Sequence, residues 1–402
     1  MFPASTLVST LMLAIAVAAG PVNVIRDSGI TLPFAAKLKL NGSSIADVDR
    51  SRAAALKGRF SKRASSFPVT NTAVVYSASV GVGSPATQYN LLIDTGSSNT
   101  WIGAGTAYKK TSTSTDTGKK VSVSYGSGSF SGEEFTDTVT LSSSLVITKQ
   151  SIGVASTSTG FDGFDGILGI GPVDLTQGTL SGSSATVPTV TDNLFSQGKI
   201  SVKAVGVSFA PTTVQSTTNG ELTFGGPDTS KFTGTLSYVG LTSTSPASAY
   251  WGIDQTITYS TSTSILSKTA GIVDTGTTLV LLATDAFNKY KTASKATADS
   301  ATGLLKITSA NYANLKSLFF TIGSTKYELT ANAQTWPRSL NTFIGGTSGS
   351  IYLIVADLGS NSGSGLDFIN GFTFLERFYT VYDTTNSRFG IATTSSTTAT
   401  SN

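Results

Sequence analysis

The chain has 402 residues with 27 Lys/Arg, 23 Asp/Glu, no His and no Cys, for a formal net charge of +4. Without imidazole or thiol there is no Ser-His-Asp triad, no Cys-His nucleophile and no zinc site of the usual ligands, so acid–base chemistry falls to carboxylates. The charge is uneven: residues 1–63 hold nine Lys/Arg and three Asp/Glu, leaving 18 basic and 20 acidic groups in the remaining 339 residues, a body without the basic, aromatic-laced stripe of a nucleic-acid partner.

Length predicts two domains plus processed segments. Residues 7–19 form an apolar run, too short to span a bilayer and ending in small residues, which predicts a signal peptide over residues 1–20 and a secreted, extracellular protein. No Lys or Arg precedes that run, and a buried first strand or helix is the alternative. Residues 21–63 turn basic and polar, contain a helix-prone stretch from Ile45 to Arg59 and the only Asn-X-Ser/Thr sequon, at Asn41, and close on Lys62-Arg63. These features predict a prosegment whose basic charge is attracted to the acidic body, an attraction that acid would weaken, with the dibasic pair as a processing point or a mere surface turn.

The mature chain, 64–402, reads as mostly β, with short Val/Ile/Tyr/Thr/Phe runs over 74–82, 88–93, 121–125, 135–141 and 145–147 between Gly, Ser and Asn turns. Helices are expected at 191–197, at 284–295 with Thr284 and Asp285 in capping positions, and at 310–319 from apolar spacing. No transmembrane helix is visible after residue 20, and the Ser/Thr-rich tail from Thr393 is neither membrane anchor nor core element.

Two stretches carry the chemistry. Leu91-Leu92-Ile93-Asp94-Thr95-Gly96-Ser97-Ser98 is echoed 180 residues later by Gly271-Ile272-Val273-Asp274-Thr275-Gly276-Thr277-Thr278. In each, an apolar run that reads as a buried strand delivers one aspartate into a tight turn of Thr, Gly and small hydroxyl residues. The matching flanks imply an internal duplication that brings two like carboxylates together. Between them, Val121 to Gly132 reads as a β-hairpin with Tyr125, Gly126, Ser127 and Gly128 at its tip, either an ordinary exposed hairpin or a mobile cover.

Over nearly all of residues 64–402 these motifs, with Tyr250-Trp251-Gly252-Ile253 and the run from Phe374 to Asp383, resemble the pepsin family of aspartic endopeptidases. The resemblance implies an all-β, bilobal acid-protease fold: two related β-barrel lobes with a few short helices, an N-terminal lobe over 64–235 and a C-terminal lobe over 236–402. It further implies that Asp94 and Asp274 form the catalytic pair, that Ser97 and Thr277 bond their outer oxygens, and that Thr95 and Thr275 cross-link the turns beneath. Tyr125 would head a flap, with Trp101 as its hydrogen-bond partner. Asp165-Gly166-Ile167-Leu168-Gly169 would thread under the first turn, so that Gly126, Ser127, Trp101, Ile167 and Gly276 line the substrate path. Ser127 stands where some fungal relatives carry an Asp that accepts Lys before the cut, which implies a preference for large apolar residues. Asn370 stands where the family has an apolar residue, so the packing under the second turn is expected to be disturbed.

Two carboxylates a hydrogen bond apart cannot both ionise cheaply, so they share one proton in acid; the charged member then activates water while the protonated member donates to the peptide carbonyl. The expected function is thus a secreted endopeptidase, made as a zymogen and active in acid on polypeptides bound between the lobes. It would need no metal or cofactor, be held off by its own prosegment, be blocked by pepstatin-type inhibitors and be monomeric. A glycosidase is the first rival, but its carboxyls stand about 5–9.5 Å apart. A catalytically inactive pepsin-like binding protein is the second, although Asp94, Asp274 and Tyr125 are all retained.

Overall fold

Two apolar strands, each ending on an aspartate turn, organise the molecule. The computed structural model describes residues 30–38, 44–58, 74–126 and 128–402. The expected signal peptide, the sequon at Asn41, Lys62-Arg63 and Ser127 lie outside the described residues. In chain order the first elements are β1 (Ile30–Leu38), α1 (Ile45–Gly58), β2 (Val74–Val82), β3 (Thr87–Asp94), β4 (Thr100–Ile102), β5 (Thr115–Tyr125), β6 (Gly128–Thr140), β7 (Val146–Thr159) and β8 (Gly166–Gly169). After α2 (Val190–Ser196) come β9 (Ala204–Ser208), β10 (Ser216–Phe224), β11 (Thr233–Gly240), β12 (Gly252–Tyr259), β13 (Thr263–Val273) and β14 (Val280–Leu282).

The same local plan is built twice. β3 runs parallel to β8, with Ile93 opposite Leu168, and β8 runs antiparallel to β4, with Leu168 opposite Thr100. In the second half β13 runs parallel to the strand Phe368–Asn370, with Val273 opposite Asn370, and that strand runs antiparallel to β14, with Asn370 opposite Val280. Each aspartate strand is therefore wedged between neighbours and buried on both faces. That explains why the two runs are continuously apolar instead of alternating.

Among the described residues, thirteen strands form one sheet and seven form another. The larger sheet also takes in Phe378–Asp383 and Arg388–Thr393 from the end of the chain, which pair with β9 and β11. The expected lobe boundary after residue 235 falls inside β11. β1 sits in the middle of this sheet, bonded to β10 on one side and β2 on the other. Its Phe34 is buried edge-on against Tyr76 and Phe209, with ring centroids 5.2 and 5.0 Å away.

Three local expectations are corrected. Thr284 and Asp285 are not caps: the helix Thr284–Ser294 has Ala283 at its N-cap, and their side chains bond Asp357 and Ser362 instead. Only Ser309–Tyr312 of the expected 310–319 helix is helical, because Leu318–Ile322 alternates buried and half-buried residues and is claimed by strand partners on both sides. The Ser/Thr tail is also tied into the body. Buried Thr397 donates to the Arg377 carbonyl, and Arg377 Nη1 donates to the carbonyls of Ser396 and Ala399.

Asn370 does not disturb its surroundings. Its buried side-chain amide is matched by that of Gln255, with Nδ2 donating to Gln255 Oε1 at 2.9 Å and Oδ1 accepting from Gln255 Nε2 at 3.2 Å.

Candidate active site

Each turn clamps its own aspartate in the same way. Gly96 N donates to Asp94 Oδ1 at 2.9 Å and Ser97 Oγ to Asp94 Oδ2 at 2.5 Å; Gly276 N donates to Asp274 Oδ1 at 3.0 Å and Thr277 Oγ1 to Asp274 Oδ2 at 2.5 Å. The turns are also tied to each other. Thr95 N donates to Thr275 Oγ1 and Thr275 N to Thr95 Oγ1, both at 3.0 Å, while the two hydroxyls donate onward to the carbonyls of Val273 and Ile93. All of these groups but the half-buried Gly276 are buried, so the bonds gain the strength that low-dielectric surroundings give them. Trp251 adds a further link, its Nε1 donating to Ile170 O at 3.3 Å.

One cation joins the pair. Arg52, on α1, donates from Nη2 to Asp94 Oδ1 at 2.6 Å and to Asp274 Oδ1 at 3.0 Å, and from Nε to Asp274 Oδ2 at 2.7 Å. A single guanidinium nitrogen within reach of an oxygen on each carboxylate places the two acids in one small site. Glycine is needed at both turns for this approach, because a Cβ at Gly96 or Gly276 would come within 2.4 Å of Arg52 Nη2. Burial alone raises the Asp274 carboxyl, but the Arg52 charge and hydrogen bond outweigh it and, with Thr277 and the Gly276 amide, hold the group below the ordinary carboxylate range. Burial works against the Arg52 charge, yet the two aspartates raise it above the ordinary guanidinium value.

The rest of α1 packs against the same turns and the hairpin. Asp49, one turn before Arg52 on the same helix face, accepts from Thr278 N at 3.1 Å and Leu279 N at 2.7 Å. Burial pushes Asp49 up to about 7, against the pull of those amides and of Arg52. Val48 enters the apolar cluster of Leu92, Trp101, Phe130, Phe161 and Ile167, against which Tyr125 packs. Tyr250 Oη donates to Leu56 O near the helix end, and the backbone of Gly126 at the hairpin tip lies so close that a Cβ there would meet Arg52 Cα at 2.2 Å.

Sequence-based expectation and structure part at one pair. Trp101 Nε1 is buried without a hydrogen-bond acceptor among the described residues, so the expected bond to Tyr125 is not made. Trp101 instead stacks flat on Phe130 at 4.2 Å, and Tyr125 stands edge-on to Phe161 at 5.5 Å. Phe161 stands between them, edge-on to the indole at 4.7 Å as well as to the phenol. Arg52, Asp49 and Val48 went unnamed in the sequence reading. Their only signals were the basic excess of residues 21–63 and an Asp and an Arg at helical i, i+3 spacing.

The chain matches the sequence profile of the eukaryotic aspartyl proteases over residues 75–394. It is 70% identical to polyporopepsin of Irpex lacteus over 340 residues, 84% of this chain and all of that protein. It is 35% identical to rhizopuspepsin-1 of Rhizopus niveus over 301 residues, 71% of this chain and 74% of that one. The crystal structure of the Irpex lacteus aspartic proteinase superimposes with a TM-score of 0.82 and 62% identity, covering 93% of this chain and all of that one. Fold, paired aspartate turns and relatives agree: the chain belongs to the eukaryotic aspartyl protease family and is an aspartic endopeptidase of the pepsin type.

Proposed function

We propose that this chain is the secreted zymogen of an acid endopeptidase in which Asp94 and Asp274 do the chemistry and residues 21–63 form the inhibiting prosegment. The observation that carries the reading is the bridge from Arg52 to both aspartates. While it stands, both carboxylates are paired with a fixed cation, whose guanidinium takes up the oxygens that would otherwise bind water and a scissile carbonyl.

Acid reverses this. Freed from Arg52, the two carboxylates repel and retain one proton between them, so docking keeps both ionised whereas release takes up a proton. Docking is therefore favoured above the range in which the pair protonates and lost as pH falls through it. In the open site the charged member takes a proton from water, the hydroxide equivalent adds to the peptide carbon, and the protonated member donates to the carbonyl oxygen. The Gly96 and Gly276 amides and the Ser97 and Thr277 hydroxyls hold the four oxygens, and Thr95 and Thr275 keep the two turns in register.

Substrate then occupies the groove that α1 vacates, extended under the hairpin of Tyr125 and Gly126. The apolar pocket now holding Val48, walled by Trp101, Phe161 and Ile167, supports a preference for large apolar residues beside the cut. The chain is expected to act as a monomer on polypeptides and to bind pepstatin-type inhibitors. The test is cleavage of unfolded protein in mild acid by the full-length chain, by Asp94→Asn and by Asp274→Asn, with near-ultraviolet dichroism as the folding control. Folded variants that match the parent's turnover would end this reading; an inactive parent that still binds peptides would favour the inactive binding protein.

A further inference from the structure

The two aspartate turns are near copies, but the residues beneath them differ. Strand register makes Leu168 and Asn370 counterparts: each lies opposite the residue just before its aspartate and opposite the first residue of the following short strand. Leu168 is apolar and fully buried; Asn370 is equally buried and polar. An unpaired amide there would be costly, but the Gln255 side chain meets it with two reciprocal hydrogen bonds at 2.9 and 3.2 Å.

The placement of this pair gives it a role beyond satisfying itself. β12, which carries Gln255, is not a hydrogen-bonded neighbour of Phe368–Asn370, since β13 lies between them in the sheet. β13 is the strand that delivers Asp274. The amide pair thus ties together the two strands flanking it. At its other end Asn370 holds the aspartate's own backbone, because Asp274 N donates to Asn370 O at 3.1 Å. Any slip of Asn370 moves the anchor of Asp274, while Asp94 rests on an apolar counterpart.

We propose that the reciprocal Gln255–Asn370 amide pair is a positioning device for the reaction: it fixes the height of Asp274 opposite Asp94 and so sets the separation over which one proton is shared. The proposal rests on the reading of Asp274 as a catalytic group. Gln255 and Asn370 are positioning residues and touch no substrate. The energetic logic is that of a buried polar network, which specifies one geometry when complete and destabilises it when half-made.

The test uses the full-length chain, activated in acid, with kcat, KM and the pH profile of kcat measured for each variant. Asn370→Leu and Gln255→Leu each strand one amide and should lower kcat by about tenfold or more with KM within about twofold, because a small displacement of a reacting group falls on the chemical step. The limits of the pH profile should move as well, because the spacing of the carboxylates sets them. Asn370→Asp is the conservative rescue: a protonated carboxyl can both accept from Gln255 Nε2 and donate to Oε1, restoring the two-bond ring in acid. It should keep near-parental kcat at the acid end and lose it as pH rises, whereas Asn370→Leu is impaired throughout.

Parental kcat and pH profile in both leucine variants, whatever their thermal stability, would overturn the proposal. So would an Asn370→Asp variant as impaired as Asn370→Leu at every pH. Should Asn370→Leu fail to fold, Gln255→Leu carries the same comparison. Failure of the underlying reading would show separately, as full turnover in Asp274→Asn.

Discussion

Arg52 and Asp274 are joined side-on by two hydrogen bonds, Nε to Oδ2 at 2.7 Å and Nη2 to Oδ1 at 3.0 Å, at the meeting point of the two aspartate turns. This fork geometry is one that a lysine cannot reproduce.

Arg52→Ala should therefore loosen α1 most at neutral pH, where the parent's carboxylates are both charged. Removing one member of a buried ion pair costs about 3–5 kcal/mol, although here the stranded acids relieve part of it by taking up a proton. The pH midpoint at which full-length chain first binds pepstatin should move toward neutrality by about one unit or more. An unchanged midpoint would mean that Arg52 does not hold the groove shut.

Asp49 acts with the opposite sign. Burial puts its docked pKa at about 7, against 3.8 as the ordinary value, so docking favours its protonated form and this contribution is fully present below the lower value and lost as pH rises through the upper one. It resists release in acid, where Arg52 lets go. Asp49→Ala, which also leaves the Thr278 and Leu279 amides without their acceptor, should release at a higher pH than the parent in the same pepstatin titration. A midpoint displaced to lower pH would refute the assignment.

Ser97→Ala and Thr277→Ala each remove one hydroxyl from an outer carboxylate oxygen. Hydrogen bonds to charged groups are worth about 1.5–3 kcal/mol, so kcat should fall roughly tenfold to a hundredfold, with the folded state retained. Stopped assays on a chromogenic peptide measure this directly.

Thr95→Val and Thr275→Val break the cross-links between the turns. Each leaves a buried backbone amide of the other turn unsatisfied, which costs about 1–3 kcal/mol, and the double variant should cost less than the two singles together because both act on one network. Thermal denaturation of the three variants gives the coupling.

Stability should also decline toward alkaline pH. Glu376 is buried; burial, opposed by the Arg377 charge and the Tyr76 hydroxyl, pushes its pKa from 4.5 up to about 8. A carboxyl raised on folding contributes stability below its unfolded value and loses it as pH climbs through the folded one. The melting temperature of the parent should drop over that interval, and Glu376→Gln should flatten the decline.

The aspartate turns were legible because the chain writes them twice with the same flanks, and strands such as β2 were legible because β-branched residues crowd between glycine turns. The 310–319 segment misled because Leu318 and Phe319 continue a helical spacing from the residues before them. Nothing local reveals that one edge of Leu318–Ile322 is claimed by β12, distant in the sequence, while the other closes in a tight hairpin onto Thr325–Leu329. Arg52 was invisible as an individual for a related reason. A surface helix with several basic residues does not announce which one meets two carboxylates, since that depends on the docking of the whole helix. Gln255 is a similar case: it is an ordinary polar residue in a strand until the fold sets it against Asn370.

β1 lies within the large sheet, laced to β10 by backbone pairing along most of its length and to β2 over its last four residues, with Phe34 sealed among aromatic rings. A cut after Lys62-Arg63 would sever the covalent thread but none of that lacing. The nicked protein should still migrate as one particle on a sizing column at neutral pH, its two fragments parting only in acid or denaturant. Scission and liberation are then separate events, with separate rates.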